Sequence, residues 1–591
     1  MLKRFLLNAL SSFVGAWAAF VLIAVACVLL IVGALSSVTT VPSERLTGNS
    51  VLRLRLSGTI DERENRPMFD YSTLMTGQLD VPQSLKSITE AINKAASLDD
   101  IDAIFIECQG VAAGPATLNA IRNSLMEFKK SGKKIIAYGD NLTMGDYFIA
   151  SAADDIYLNP AGSLDLHGIN GTTMFFKDFL DNIGVDIEVV KVGTFKSAVE
   201  PYISNEMSEP ARAQLDTLYG VMWNFIKEKI SAKTKVKQND IDTLVNNYIF
   251  LDEASNVEKL GLVTNCLYYR QVLDTIGKYI GKDTKDINFV STEFLAGPTV
   301  ANPKASNQIA VLYAVGDIAE YEGAGINCYE MVPIIVRLAE DENVKGMVLR
   351  VNSPGGSVFG SEQIGEALDY FQSKGKVLTV SMGDYAASGG YWISAGADRI
   401  FADPLTITGS IGIFGMVPNI EKLTDKIGIH PQTVGTNPSS VFPQIFYPMS
   451  ESQHAALQRN VERGYDTFVT RVAKGRKKDV SYIKSIAEGR VWNAMTAKKI
   501  GLVDELGGVQ DAISWTAQKA GLNKYNTEYY PHYEEDFFTI LPMVLKNNAE
   551  FKALEEKLKA QSVEERLIRL VEWFLIQNHI QARCPYYQTC L

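Results

Sequence analysis

The chain carries one passage twice, and this internal repeat constrains its fold more than any other feature. The first copy begins AIFIECQGVAAG at Ala103 and resumes as KKSGKKIIAYGDNLTMGDYFIASAADDIYLNP, ending at Pro160. The second begins GMVLRVNSPGGS at Gly346 and resumes as QSKGKVLTVSMGDYAASGGYWISAGADRIFADP, ending at Pro404. With Gly139 set on Gly383, Asp154 falls on Asp398 and Gly168 on Gly412. A chain of 591 residues exceeds what one core holds, so the repeat divides it into two similar units. The copies have diverged at their chemical positions. Ser388 of the second stands where the first has Met144, and only the first is followed by a lysine in a glycine-flanked turn, Lys196 in VGTFKSAVEP. Two halves that each hold one reactive group imply a site that neither builds alone.

Each half reads as strands alternating with helices. Val51 to Ile60 (VLRLRLSGTI) alternates apolar and polar residues at the strand period, as does IAVLYAVGDI from Ile309 to Ile318. Amphipathic helical stretches follow, Ser84 to Ala96 and Ala324 to Glu340. Then come buried strands (AIFIE; GMVLRV), glycine-bearing turns, a helix, a further apolar strand (KKIIAYG; KVLTVSMG) and a helix of small residues. This order predicts an α/β fold of βαβ units around a largely parallel sheet. Right-handed crossovers would put the strand-end loops on one sheet edge, where open α/β folds bind ligands. A G-L-V element recurs late in each half, ending at Val263 and at Val503. The expected organisation is an N-terminal stub and transmembrane helix over 1–43, a first repeat over 50–293, and a proline- and glycine-bearing linker over 294–308. A second repeat then covers 309–525 and a helical tail 526–591, where Glu534 to Ile580 has charged and apolar residues at helical spacing.

No charged residue lies between Phe5 and Ser43, and Phe13 to Leu35 is long and apolar enough to cross a bilayer as a helix. Lys3 and Arg4 precede it and Glu44 is the first charge after it, which leaves the N-terminus in the cytoplasm and sends the remainder across. A cleaved signal peptide is the rival reading, but its apolar region usually runs about 7–15 residues. The net charge of −11 argues against non-specific nucleic-acid binding. Cys584 and Cys590 bracket CPYYQT, either as a local disulfide outside the cytoplasm or as two free thiols. With no C-x2-C pair and no H-E-x-x-H helix, neither metal nor cofactor is expected.

Ser388 follows an apolar strand and precedes an apolar helical run in DYAASGGYWISA, a position where helix N–H groups converge. A lone serine there is ordinarily a helix cap. Here Ser353 to Gly356 (Ser-Pro-Gly-Gly) ends the preceding strand on the same edge, so Gly356 and Gly389 can offer two amides to a developing oxyanion. A nucleophilic serine needs a base. None of the histidines (His167, His430, His454, His532, His579) sits in a motif that pairs with Ser388, and lysine is the known substitute. Lys196 follows the apolar run IEVVKV, and the matching turn of the second half, VGTNPSS from Val434 to Ser440, has no lysine. Moving a lysine pKa from ~10.4 to ~7 takes roughly 4–5 kcal/mol of differential desolvation, so the site must be dry. Ser410 in TGSIGIFG is placed to hydrogen-bond that lysine or is a plain turn serine.

The motifs VGTFKSAVEPYIS, VNSPGGSV, MGDYAASGGYWIS, LTITGSIGIFG and GRVWNAMTAKKIGLVDELGG resemble the signal peptide peptidase A (protease IV) family, S49 serine/lysine peptidases of the Clp-protease/crotonase superfamily. The resemblance covers about residues 50–525. It implies two tandem crotonase-like domains behind one membrane anchor. Ser388 would be the nucleophile, Lys196 the general base, Ser410 the hydroxyl that orients the lysine, and Gly356 and Gly389 the oxyanion hole. It further implies a homotetramer in the bacterial inner membrane, with its domains on the periplasmic side, that degrades apolar peptides such as signal-peptide remnants. Two rivals remain. One is a crotonase-type acyl-CoA enzyme, disfavoured by the anchor topology, and the other a non-catalytic membrane scaffold.

Overall fold

The structure, a computed structural model, describes residues 44–63, 83–234, 236–297, 305–321 and 325–532, with the backbone of Ile580–Arg583. The expected anchor, Cys27, Cys584, Cys590 and the helical spacing from Glu534 up to 579 lie outside the described residues. Among the described residues no helix is long and apolar enough to cross a membrane.

Alternation sets the first sheet. Strand Ser50–Asp61 buries Leu52, Leu54 and Leu56, while Arg53 and Arg55 turn the other way and bind the Glu107 carboxylate at 2.6 and 3.0 Å. Its neighbour Ile101–Ala112 is buried from Ala103 to Cys108, as a parallel strand covered on both faces must be. Helix Leu85–Ser97 begins at Ser84, whose hydroxyl accepts from Ser87 N, and buries Leu85, Ile88, Ala91, Ile92 and Ala95 on one stripe. Strands Lys134–Gly139 and Asp155–Leu158 extend this seven-stranded parallel sheet.

The second half repeats the plan. Gln308–Val315, Val344–Ser353, Val377–Ala387 and Arg399–Ala402 lie parallel in an eight-stranded sheet, with Ile407–Gly409 and Val491–Asn493 forming an antiparallel edge. Trp392 and Phe468 stack at 4.6 Å beneath it, packing the long helix Glu451–Arg476 onto the core. Two expectations need correction. The tail does not begin at 526: Asn526–Tyr530 (NTEYY) is a strand paired in parallel with Gln308–Leu312, where its aromatic and β-branched residues suit a sheet edge. Ile580–Arg583 is likewise a strand rather than the end of a helix, because two exposed sheet edges take up its backbone.

A third, six-stranded sheet crosses the repeat boundary. Strand Asp186–Val192 of the first half runs antiparallel to Ile413–Asn419 of the second, with Val192 opposite Ile413 and Asp186 opposite Asn419. The halves also meet through buried polar groups. Asp384 accepts from Ala116 N, Thr117 N and Thr117 Oγ1 at 2.8, 3.0 and 2.6 Å, capping the first-half helix Pro115–Phe128. Asn119 on that helix donates to Asp403 at 2.7 Å.

Burial pushes the Asp403 carboxyl up to about 7, against 3.8 for an ordinary aspartate. The folded state therefore holds a proton that the unfolded chain releases, so stability falls as pH rises from about 4 to about 7. The difference amounts to on the order of 4 kcal/mol. Asp403→Asn is expected to flatten this dependence, gaining on the wild type between pH 5 and pH 8. Parallel denaturant midpoints at the two pH values for both proteins would refute it.

Candidate active site

The buried strand Val377–Ala387 gives directly onto the short helix Gly389–Ser394, and Ser388 takes up the whole change of direction. Its backbone lies at φ 57° and ψ −118°, a conformation that costs a non-glycine residue about 1–3 kcal/mol and persists only when its surroundings impose it. Two bonds do so: Ser388 N donates to Gly409 O at 2.8 Å, and Trp392 N donates to Ser388 O at 2.9 Å. The hydroxyl makes no capping bond, so this serine is not an ordinary helix cap.

Glycines close around it. A Cβ on Gly389 would stand 2.6 Å from Ser361 Oγ and 3.2 Å from Gly356 N, so this residue lies directly against the Ser-Pro-Gly-Gly turn. Gly356, at φ 151°, pairs with Ile318, whose carbonyl oxygen a Cβ would approach to 2.1 Å. The chain thus brings both expected amide donors to one place beside Ser388.

Lys196 arrives from the other half. The strand Asp186–Val192 carries the chain across the boundary, and Gly193 at φ 109° turns it over Glu488 and Gly489. Phe195 N donates to Glu488 O at 2.9 Å, and a Cβ on Gly489 would lie 2.7 Å from Lys196 Cβ. The lysine is fully buried, with Nζ 2.8 Å from Ser388 Oγ, 3.1 Å from Ser410 Oγ and 3.2 Å from Ser410 O. Ser410 is also held at positive φ, 51°, with its N–H donating to Arg490 O at 2.7 Å. Three residues chosen from sequence, spread over more than two hundred positions, therefore converge within a single chain. The Glu488-Gly489 platform is the part that sequence reasoning missed, and its only signal was Gly489, the first residue of the GRVWN motif. His167, His430 and His532 pair instead with exposed surface carboxylates.

Comparison with known proteins agrees with this geometry. Residues 127–278 and 370–523 match the profile described as Peptidase family S49, one match in each half, and 314–421 match that of Clp protease. Protease 4 of Haemophilus influenzae is 34% identical over 493 residues, covering 80% of both chains. The chain belongs to peptidase family S49. A second relative, Protease 4 of Salmonella typhi, is 35% identical over 473 residues, covering 78% of this chain and 75% of its own. The putative signal peptide peptidase SppA of Enterococcus faecium is 38% identical over 180 residues, 30% of this chain and 52% of that one. As an S49 member the chain is a serine peptidase, a hydrolase with Clp-protease-like α/β domains.

The first S49 segment has closed its own counterpart of this turn. Thr143 precedes Met144 in an ordinary extended conformation and caps the helix Met144–Ala150, sharing a capping box with Asp146. The Asp146 carboxylate accepts from Gly110 N and Val111 N at 3.1 and 3.2 Å, at the strand end where the second half carries Ser-Pro-Gly-Gly. Burial pushes that carboxyl up, and these amide and hydroxyl donors work against the rise. A fixed carboxylate thus occupies amides that an incoming carbonyl would need.

Proposed function

We propose that this S49 peptidase is a membrane-anchored endopeptidase that uses a Ser388/Lys196 dyad to cleave apolar peptides. The observation that carries the reading is the 2.8 Å approach of a fully buried lysine amine to the Ser388 hydroxyl. The neutral amine takes the hydroxyl proton as Oγ attacks the peptide carbonyl, and the Gly356 and Gly389 amides bind the resulting oxyanion. Lys196 returns the proton to the leaving amine, and water then hydrolyses the ester on Ser388. Ser410 holds the amine in line. The printed name of the Enterococcus faecium relative supports signal peptides as the substrate class, and exposed Phe359, just beyond the Gly355–Ser357 strand, supplies apolar surface beside the site. The charge-free N-terminus supports a single-pass bacterial inner-membrane protein with its peptidase domains on the periplasmic side. A homotetramer, as expected from the family resemblance, would screen the sites from folded proteins.

A serine-directed fluorophosphonate tests the reading. Labelling is expected to map to Ser388 and to remove peptide cleavage in step with its stoichiometry. Label elsewhere, or cleavage that survives full labelling of Ser388, overturns it. Ser410→Ala is expected to lower kcat about 10–100-fold with little change in KM, the effect of losing one hydrogen bond to the base. An unchanged kcat would remove Ser410 from the mechanism.

A further inference from the structure

One short segment, Glu488 to Val491, reaches the backbone of all three site residues, directly or through one neighbour. Glu488 O accepts from Phe195 N at 2.9 Å and so holds the turn that carries Lys196. Gly489 N donates to Ile411 O at 2.8 Å, and Arg490 O accepts from Ser410 N at 2.7 Å. Val491 lies opposite Gly409, whose carbonyl accepts from Ser388 N. The segment does not follow the local preference of its residues. Glu488 and Gly489 succeed one another at φ 52° and 76°, and a glutamate in the left-handed region persists only when its surroundings impose it.

A layer of side chains does so. The Arg490 guanidinium lies over two rings, its carbon 4.9 Å from the centre of the Phe195 ring and 4.3 Å from that of Trp492. Phe195 is the residue before Lys196. Trp492 Nε1 donates to Ile486 O at 3.1 Å, ahead of the left-handed pair, so the layer grips the turn at both ends. All three residues are half-buried, and among the described residues Arg490 forms no ion pair. Its planar cation is used for stacking instead, a contact that a compact ammonium reproduces only in part.

We propose that Arg490 is a positioning residue for the Ser388/Lys196 dyad, on whose reading this inference rests. Its stack with Phe195 and Trp492 fixes the turn that keeps the lysine amine in line with both hydroxyls. The amine meets Ser388 Oγ and Ser410 Oγ at 2.8 and 3.1 Å. Arg490 holds Ser410 through its carbonyl and the neighbour of Lys196 through its guanidinium. One residue thus ties the base and the hydroxyl that orients it to a common frame. Loss of that frame acts on proton transfer rather than on peptide binding, and a misplacement of about 1 Å can cost about 100-fold in rate.

Hydrolysis of an apolar peptide as a function of pH, by the full chain carrying Arg490→Met, Phe195→Leu or both, tests this. Arg490→Met keeps the side-chain length and loses the planar cation. It is expected to lower kcat about 10–100-fold with KM within about threefold of wild type. The ascending limb of kcat is expected to move to higher pH by about half a unit or more, because an amine less firmly enclosed keeps its proton to a higher pH. Arg490→Lys retains the charge and is expected to recover part of the loss. Phe195→Leu removes the ring beside the lysine, and the double variant is expected to be no slower than the worse single one, since both act through one stack. A kcat and a pH limb like those of wild type in folded Arg490→Met overturn the proposal. So does a lower kcat with an unmoved limb, or losses that multiply in the double variant. Should Arg490→Met fail to fold, Phe195→Leu and Arg490→Lys carry the same readouts. Cleavage that survives in Ser388→Ala removes the dyad reading itself, whatever the Arg490 variants do.

Discussion

Lys196→Ala is expected to lower kcat/KM for peptide hydrolysis by about four orders of magnitude or more, the scale of loss when a member of a nucleophile–base unit is removed. In the proposed dyad the amine serves as the base for Ser388 Oγ, 2.8 Å away, and His167, His430 and His532 lie instead against exposed surface carboxylates. Because Lys196 is fully buried, the alanine variant also leaves a cavity, and loss of activity alone would not separate chemistry from packing. Two companion variants do. Lys196→Met refills most of the volume without a base, so it is expected to be as inactive as alanine yet fold as stably as wild type. Lys196→Arg keeps a cation and its donors but cannot give up a proton, so it is expected to be inactive too. Single-turnover peptide cleavage and thermal melting on the three variants decide the matter. Substantial activity in Lys196→Arg would mean that the residue acts as a charge, and the general-base role would fall.

The sequence made the parts of this site legible but not the way they meet. Lys196 stood out because the two copies differ there, and Ser388 because Met144 replaces it in the first copy. Such differences between repeats are chemical and survive without coordinates. The route by which Lys196 crosses the boundary was hidden. The residues IEVVKV read only as an apolar run ahead of Lys196, and nothing in them names Ile413–Asn419 as the partner of the strand they form. Pairing choice is non-local and depends on Gly193, Gly412 and Gly489, where backbone approaches leave no room for a side chain. The strain at Ser388 was equally invisible, since its φ is imposed by bonds to Gly409 and Trp392 rather than by local preference. The tail failed for a different reason. Five residues such as NTEYY are too few for periodicity to separate strand from helix, and only the open edge beside Gln308–Val315 decides.

The junction that makes the shared site feasible carries the second large effect. Glu62→Ala is expected to destabilise the chain by roughly 3–5 kcal/mol, because it leaves a buried guanidinium without its counter-charge. Glu62 follows directly on the first strand of the first half, while Arg350 lies on the second-half strand that runs into Ser353 and the glycine turn. Arg350 Nε and a terminal nitrogen each donate to Glu62 at 2.9 Å, and both side chains are about 5% exposed. The remaining guanidinium donors reach Ser381 Oγ and Met382 O on the serine-bearing strand. Burial alone would lower the Arg350 pKa, but the charge and hydrogen bonds of Glu62 outweigh it and hold the pKa above its ordinary value. Gly383 makes the space, since a Cβ there would stand 2.5 Å from Glu62 Oε1. Asn352 joins the same network, donating to Glu62 at 3.0 Å and accepting from Tyr385 N at 3.1 Å. Removing Glu62 thus unpairs a charge next to both strands that lead to Ser388 and to the glycine turn. Peptidase activity is expected to fall together with stability. Replacing both partners by methionine removes the orphaned charge and is expected to recover most of the loss, as buried pairs exchanged for apolar volume do. Denaturant midpoints for the two single variants and the double variant complete the cycle. A Glu62→Ala chain within about 1 kcal/mol of wild type, the range of an exposed pair, would mean that this contact contributes no more than a surface pair.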